Sequence, residues 1–308
     1  MPLEPLIDTS GLLTRAMRTA RAVPVVVFGF VTLLLFNGLQ TTSLILVPFS
    51  RPAFRRINRW CAETWWGWCV VASKRVLGTR LVVTGEDLPV AENALLVANH
   101  QQMPDILALM ILARPRKRLG DLKFFVKYAL KWVPGLGWGL QFLGCPFLRR
   151  DWSSDRDLIR RTFEAIVGEK IPVWLVSFVE GTRSTPEKIR ASAEWAAGRG
   201  IEPFRHVLTP RSKGFVATVA GLRDHLDAVY DITIGYEDGI PTLWQYILGC
   251  VKRIHVHTER FPMTSLPTSD EALRDWLFNR FRAKDELLDQ FYATGSFPEG
   301  DSGFDTPT

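Results

Sequence analysis

A histidine and an aspartate stand five positions apart in Asn99-His100-Gln101-Gln102-Met103-Pro104-Asp105. Imidazole exchanges a proton near neutral pH, with an unperturbed pKa of about 6.5, and so suits a general base. It acts well only when a partner fixes its tautomer and stabilises its charged form. Further along, a second polar cluster ends an apolar run: Phe178-Val179-Glu180-Gly181-Thr182-Arg183-Ser184. Guanidinium grips phosphate through a charged, forked pair of hydrogen bonds, and glycine lets backbone approach a ligand closely. The first cluster can deprotonate a hydroxyl, and the second can hold an anion.

The elements around His100 decide whether the pair can meet. Five residues along one helix would set His100 and Asp105 roughly 140° apart, on different faces. The buried-looking strand Ala94-Leu95-Leu96-Val97-Ala98 ends just before Asn99, and Pro104 suits the first turn of a helix. The apolar residues 106–112 continue that helix. His100 is therefore expected in the turn and Asp105 in the first helical turn, where the helix dipole favours a negative charge. A folded-back turn then brings carboxylate to imidazole. Ligands of open α/β sheets bind at the carboxyl ends of strands, which suits this placement.

With these residues in view, the chain resembles the glycerolipid acyltransferases, the family that contains 1-acylglycerol-3-phosphate acyltransferase. Asn99-His100, followed by Asp105, is similar to the family's first motif. Gly144-Cys145-Pro146-Phe147-Leu148-Arg149-Arg150 resembles the second, and the Glu180-Gly181-Thr182-Arg183 cluster the third. Leu208-Thr209-Pro210-Arg211-Ser212-Lys213-Gly214-Phe215 resembles the fourth block of one branch. Order and spacing fit, and the match spans roughly residues 80–240. Val179 replaces the usual proline of the third motif. That departure and the fourth block look like a bacterial inner-membrane branch related to eukaryotic lysophosphatidate and lysophospholipid acylating enzymes.

The resemblance implies a reaction: His100 takes the acceptor's hydroxyl proton, Asp105 orients His100, and the alkoxide attacks the thioester of acyl-CoA or acyl-carrier protein. It implies that Arg150, Glu180, Gly181, Thr182, Arg183 and Lys213 bind substrate, with Glu180 more suited to orienting a group than to touching phosphate. The expected acceptor is a lysophospholipid, foremost 1-acylglycerol-3-phosphate. No cofactor and no metal are expected. The alternative is a membrane-bound thioesterase or hydrolase in which His100 activates water; Arg150 and Arg183 speak against it, since a thioesterase has no use for them.

The 308 residues suffice for one α/β domain with an appendage. The net charge of +6 suits either nucleic acid or an anionic membrane surface, and the N-terminus decides for the membrane. Residues 22–50 carry no charge and are long enough for a span. The polar residues 37–43 interrupt them, leaving either one polar-centred span or a re-entrant hairpin. Arg15, Arg18 and Arg21 precede the run, and Arg51, Arg55, Arg56 and Arg59 follow it. Positive flanks on both sides favour a hairpin with both ends at the cytoplasmic face. Trp60, Trp65, Trp66 and Trp68 then suggest an interfacial helix, with a tryptophan-rich core helix as the plainer alternative. Cys61, Cys69, Cys145 and Cys250 show no paired spacing and read as reduced thiols. The expected location is the cytoplasmic (inner) membrane, with the site facing the cytoplasm.

Apolar runs at 80–84, 94–98, 123–126, 146–149, 173–179, 229–236 and 254–260 predict strands. Helical periodicity marks 153–169, 213–226 and 271–292. Alternating strands and helices predict an α/β fold, a mostly parallel central sheet flanked by helices, behind an N-terminal helical membrane anchor. The division expected is an anchor and interfacial helix over 1–75, an acyltransferase domain over 76–294 and a disordered tail over 295–308. Residues 128–143 are apolar, but Pro134, Gly135, Gly137 and Gly139 break them. A crossing there would put His100 and Arg150 on opposite sides, so they are expected to line the acyl site or dip into the bilayer surface. His255 and His257 share a strand face with no further ligand in view and read as structural.

Overall fold

All five residues Ala94–Ala98 are buried, as are all eight of Ala228–Gly235. Strands buried on both faces belong in the middle of a parallel sheet covered by helices on each side, and the computed structural model places them there. It describes residues 4–149 and 151–298. The chain begins with helices α1 (Leu12–Thr42) and α2 (Arg51–Val71), then β1 (Arg80–Gly85), β2 (Ala94–Ala98), α3 (Pro104–Ala113), β3 (Leu122–Phe124) and β4 (Val126–Lys127). There follow α4 (Leu136–Phe142), β5 (Phe147–Leu148), α5 (Trp152–Gly168), β6 (Trp174–Ser177), α6 (Pro186–Ala197), α7 (Ser212–Leu222), β7 (Ala228–Gly235), α8 (Leu243–Ile247), β8 (Arg253–Pro262) and α9 (Asp270–Thr294).

The main sheet has the order β1-β8-β7-β2-β6-β3. Among the described strands of this sheet only the β7–β8 pair is antiparallel. Side chains alternate between faces, as they must along a strand. Ala94, Leu96 and Ala98 join a core with α2 and α3, while Leu95 and Val97 join one with α5, α7 and α9. Strands β2, β6 and β7 run the same way, so their carboxyl ends at Ala98, Ser177 and Gly235 lie side by side. Two expected strands fall outside this sheet's plan. Residues 123–126 split at Phe125 into β3 and β4, and β4 pairs with β5 in a separate two-stranded ladder. Past α9, Phe297 is buried and stacks on Phe291 with ring centroids 4.7 Å apart, so ordered packing runs beyond residue 295.

The N-terminal run does not turn where its polar residues lie. Helix α1 continues through them to Thr42, one 3-10 turn follows (Ser43–Leu46), and the chain reverses ahead of α2. Ser50 caps α2 by accepting from Ala53 N, with Pro52 in the first turn. Asn37 and Gln40 are buried instead, against Gly139 of α4, and Asn58 of α2 donates to Ser43 Oγ at 3.0 Å. The polar residues are helix-to-helix contacts rather than turn formers.

Both ends of α1 are fastened to the rest of the chain. Before it, Leu6 N donates to Ile240 O at 2.9 Å and Gln245 Nε2 to Leu6 O at 2.9 Å. Its second half packs on α2, where the Trp65 indole N–H donates to Gly29 O at 3.2 Å. Val27, Phe30 and Leu35 stay exposed on the outer face. Among the described residues α1 with its 3-10 extension is the one helix long and apolar enough to cross a membrane. The tryptophans of α2 divide: Trp66 is core, edge-on to Phe124, whereas Trp60 and Trp68 are exposed and ring-packed on Phe36 of α1. Residues 128–143 form short turns and α4 beside α1, with Trp132 and Trp138 exposed.

Candidate active site

Strand β2 ends at Ala98, and the Asn99 side chain stitches that end to β7. Its amide donates to Ile234 O at 3.0 Å and its oxygen accepts from Ile234 N at 2.8 Å. This copies a backbone ladder at the point where the chain must turn away. In the turn, His100 Nδ1 stands 2.9 Å from Asp105 Oδ2. The same oxygen accepts from Gln101 N at 2.7 Å and Gln102 N at 2.8 Å, which folds the turn onto the first turn of α3. The other oxygen accepts from the Tyr236 hydroxyl at 2.6 Å.

Asp105 is fully buried, and a buried carboxylate persists only when its lone pairs are satisfied. Four donors do so here. A carboxylate can only accept, so Nδ1 carries the hydrogen and Nε2 keeps a lone pair for a substrate proton. His100 is partly exposed and stacks on Phe178, with centroids 4.0 Å apart and planes 18° from parallel. That contact fixes the ring's tilt. The Tyr236 phenol is pushed well above its ordinary pKa, first by burial and then by the Asp105 charge, so it stays a neutral donor.

Glu180 holds three segments together. Its Oε2 accepts from His100 N at 3.2 Å and from Ser184 Oγ at 3.0 Å, and its Oε1 accepts from Leu208 N at 3.4 Å. Ser184 N returns a bond to His100 O at 2.7 Å, and Arg211 N bonds Val179 O at 2.8 Å. Glu180 is only 2% exposed. It therefore faces the chain and not the solvent where a substrate would come. Burial lifts its carboxyl to about 8, against the pull of its hydrogen bonds and with the Asp105 charge adding to the rise.

The other expected substrate-binding residues divide. Arg183 is exposed, and its guanidinium donates to Gln102 Oε1, which ties it to the His100 turn. Gly181 adopts φ 73°, closing the turn with Gly181 N on Phe178 O at 2.9 Å. Thr182 Oγ1 accepts from Lys188 Nζ at 2.8 Å. Lys213 is exposed in the first turn of α7, and no described hydrogen bond or ion pair joins its side chain to the other site residues. Arg150 lies outside the described residues. His255 and His257 are taken by neighbours, His255 Nε2 lying 2.8 Å from Glu237 Oε1 and His257 Nδ1 lying 3.0 Å from Thr84 Oγ1.

Sequence reading missed Tyr236, Phe178, Gln102 and Arg211 as parts of this site. Tyr236 follows the carboxyl end of β7, the strand next to β2, so its place after a central strand was the available signal.

The fold has a counterpart in the crystal structure of a 1-acyl-sn-glycerophosphate acyltransferase, PlsC, from Thermotoga maritima, with a TM-score of 0.57 at 19% identity. The match covers 91% of this chain and 98% of that one. Residues 80–237 match the family described as Acyltransferase, and residues 245–307 match the one described as Acyltransferase C-terminus. The chain belongs to the glycerolipid acyltransferase family. Among its relatives is a 1-acyl-sn-glycerol-3-phosphate acyltransferase 2 from Brassica napus, 34% identical over 92% of this chain and 74% of the relative. The protein of that name from Arabidopsis thaliana is 35% identical over 90% and 73%. Lysocardiolipin acyltransferase 1 from Danio rerio is 34% identical over 82% and 66%.

Proposed function

We propose that this protein is a membrane-bound lysophospholipid acyltransferase, with 1-acylglycerol-3-phosphate as its foremost acceptor and His100 as its general base. The observation that carries the reading is the 2.9 Å contact from His100 Nδ1 to a fully buried, four-donor Asp105, which leaves the Nε2 lone pair free for a substrate proton. Nε2 takes the proton of the acceptor's free hydroxyl as its oxygen attacks the thioester carbonyl. The tetrahedral intermediate collapses, the C–S bond breaks and the thiolate of CoA or carrier protein leaves. The proton on His100 passes to that sulfur or to water. Asp105 holds the tautomer and stabilises the imidazolium.

Arg183 and Arg150 are the phosphate ligands in this reading, Gly181 and Thr182 shape the turn beside them, and Lys213 adds positive charge. Glu180 is better suited to positioning: it fastens the His100 turn to the Arg183 turn. No cofactor enters these steps, since both bond changes run on the thioester and a proton.

The anchor is proposed to lie along one face of an inner membrane without crossing it. Support comes from the two fastened ends of α1 and its exposed apolar face. A crossing would have to break one of those attachments. The unpaired thiols and the cytoplasmic source of both donors favour a site on the cytoplasmic side.

Purified protein, incubated with a panel of lysolipids and with acyl-CoA or acyl-carrier protein, should yield diacyl product by mass. Hydrolysis of the thioester without transfer to any lysolipid would refute the acyltransferase reading.

A further inference from the structure

Gly181 carries a constraint that its backbone turn does not explain. A Cβ built on it would stand 3.0 Å from Arg211 Cδ, 3.0 Å from Arg211 Nε and 3.2 Å from Arg211 Cζ. The guanidinium end of Arg211 thus lies across the bare face of Gly181. The bond from Arg211 N to Val179 O, 2.8 Å, fixes where that side chain starts. Two residues past Gly181, Arg183 is drawn to Gln102 of the His100 turn. Both arginines are exposed. No carboxylate among the described residues lies within ion-pair distance of either, whereas Arg59, Arg118, Arg260 and Arg280 each have one. The turn therefore presents two unneutralised guanidiniums, one resting on Gly181 and one just beyond it.

We infer that Arg211 is a specificity-determining residue, whose guanidinium joins Arg183 in gripping the phosphate of the acceptor beside Gly181. The inference rests on the proposed lysophospholipid acceptor and adds a ligand that the anion-binding motif around Arg183 does not contain. A phosphomonoester has oxygens enough for two forks, and a guanidinium reaches them from a fixed plane, which an ammonium does not.

The test compares wild type, Arg211→Ala and Arg211→Lys in mixed micelles. Binding of 1-acylglycerol-3-phosphate and of monoacylglycerol is measured by calorimetry without donor, and turnover of both with acyl-CoA. Arg211→Ala should weaken binding of the phosphate-bearing lipid about tenfold or more, the loss of one charged hydrogen bond. It should raise KM for that acceptor and leave monoacylglycerol binding within about twofold of wild type. Arg211→Lys should recover part of the loss. Equal losses on the two lipids, or none, would overturn the role of Arg211. Arg211-dependent phosphate binding without acyl transfer to any lysolipid would instead overturn the proposed reaction and leave this inference standing.

Discussion

The Tyr236 hydroxyl reaches Asp105 Oδ1 at 2.6 Å from 131 residues further along the chain. It completes the shell of a carboxylate that has no access to water, on the oxygen that His100 does not use. Strand β7 thereby sets the geometry of a pair that the sequence presents as local.

Tyr236→Phe keeps the ring and removes the donor. The buried Oδ1 is then left without a partner, which costs about 1–3 kcal/mol for such a group. The expected result is a fall in kcat of about tenfold with acceptor KM nearly unchanged, because Tyr236 touches the pair and not the acceptor. A rise in KM with kcat preserved would mean that Tyr236 shapes the acceptor pocket instead.

His100→Ala should lower acyl transfer by about 10²–10⁴-fold, the usual contribution of general-base catalysis. Asp105→Asn should also cut kcat sharply. An amide cannot accept from all four donors and favours the wrong imidazole tautomer. Circular dichroism of both variants should match wild type. Near-normal turnover in His100→Ala would remove His100 from the mechanism.

Why these residues were legible and others were not follows from the range of their contacts. His100 and Asp105 lie within one turn, so strand end, proline and helix start sufficed to place them. Tyr236 meets Asp105 only through the β2–β7 register, which no local pattern encodes. Arg211 stood in view as part of a motif, but its crossing of Gly181 depends on the Val179–Arg211 bond between two loops. Glu180 stood in view as a residue suited to orienting a neighbour, but its burial comes from three converging segments that no local pattern encodes. The polar stretch in α1 misled for a related reason. Asn37 and Gln40 read as turn residues only while the packing helix α4 is unseen. The sheet itself was plain from short apolar runs alternating with helical stretches, and only β4 and β5 strayed from it.

Glu180 makes stability depend on pH. Its ordinary value is 4.5 and its folded value about 8. Below the lower value both states are protonated. Between the two, the unfolded chain ionises while the folded chain keeps its proton. The folded state then binds more protons, and stability falls as pH rises. The slope from this one group is about 1.4 kcal/mol per pH unit through that window. Glu180→Gln removes the titration, so its melting temperature should fall less between pH 5 and pH 8 than that of wild type, whatever the starting offset. Parallel curves would show that Glu180 does not hold its proton in the folded protein.

The two attachments of α1 make a statement about topology. The helix is roughly 46 Å long, more than the hydrocarbon core of about 30 Å, so length alone would permit a crossing. Its neighbours do not: residues before it bond Ile240 and Gln245, and its second half bonds Trp65. In the proposed membrane attachment, a helix held to one domain at both ends keeps both ends on that domain's side, and the exposed Val27, Phe30 and Leu35 would face lipid. Thr9 and Ala197 are both exposed. Each can be replaced by cysteine in a background without Cys61, Cys69, Cys145 and Cys250. Intact spheroplasts treated with an impermeant thiol reagent should label neither position, and permeabilised ones should label both. Labelling of Thr9→Cys alone in intact cells would mean that α1 crosses the membrane and that the Leu6–Ile240 attachment does not hold there. Labelling of Ala197→Cys in intact cells would put the catalytic domain on the outer face, away from any cytoplasmic acyl donor.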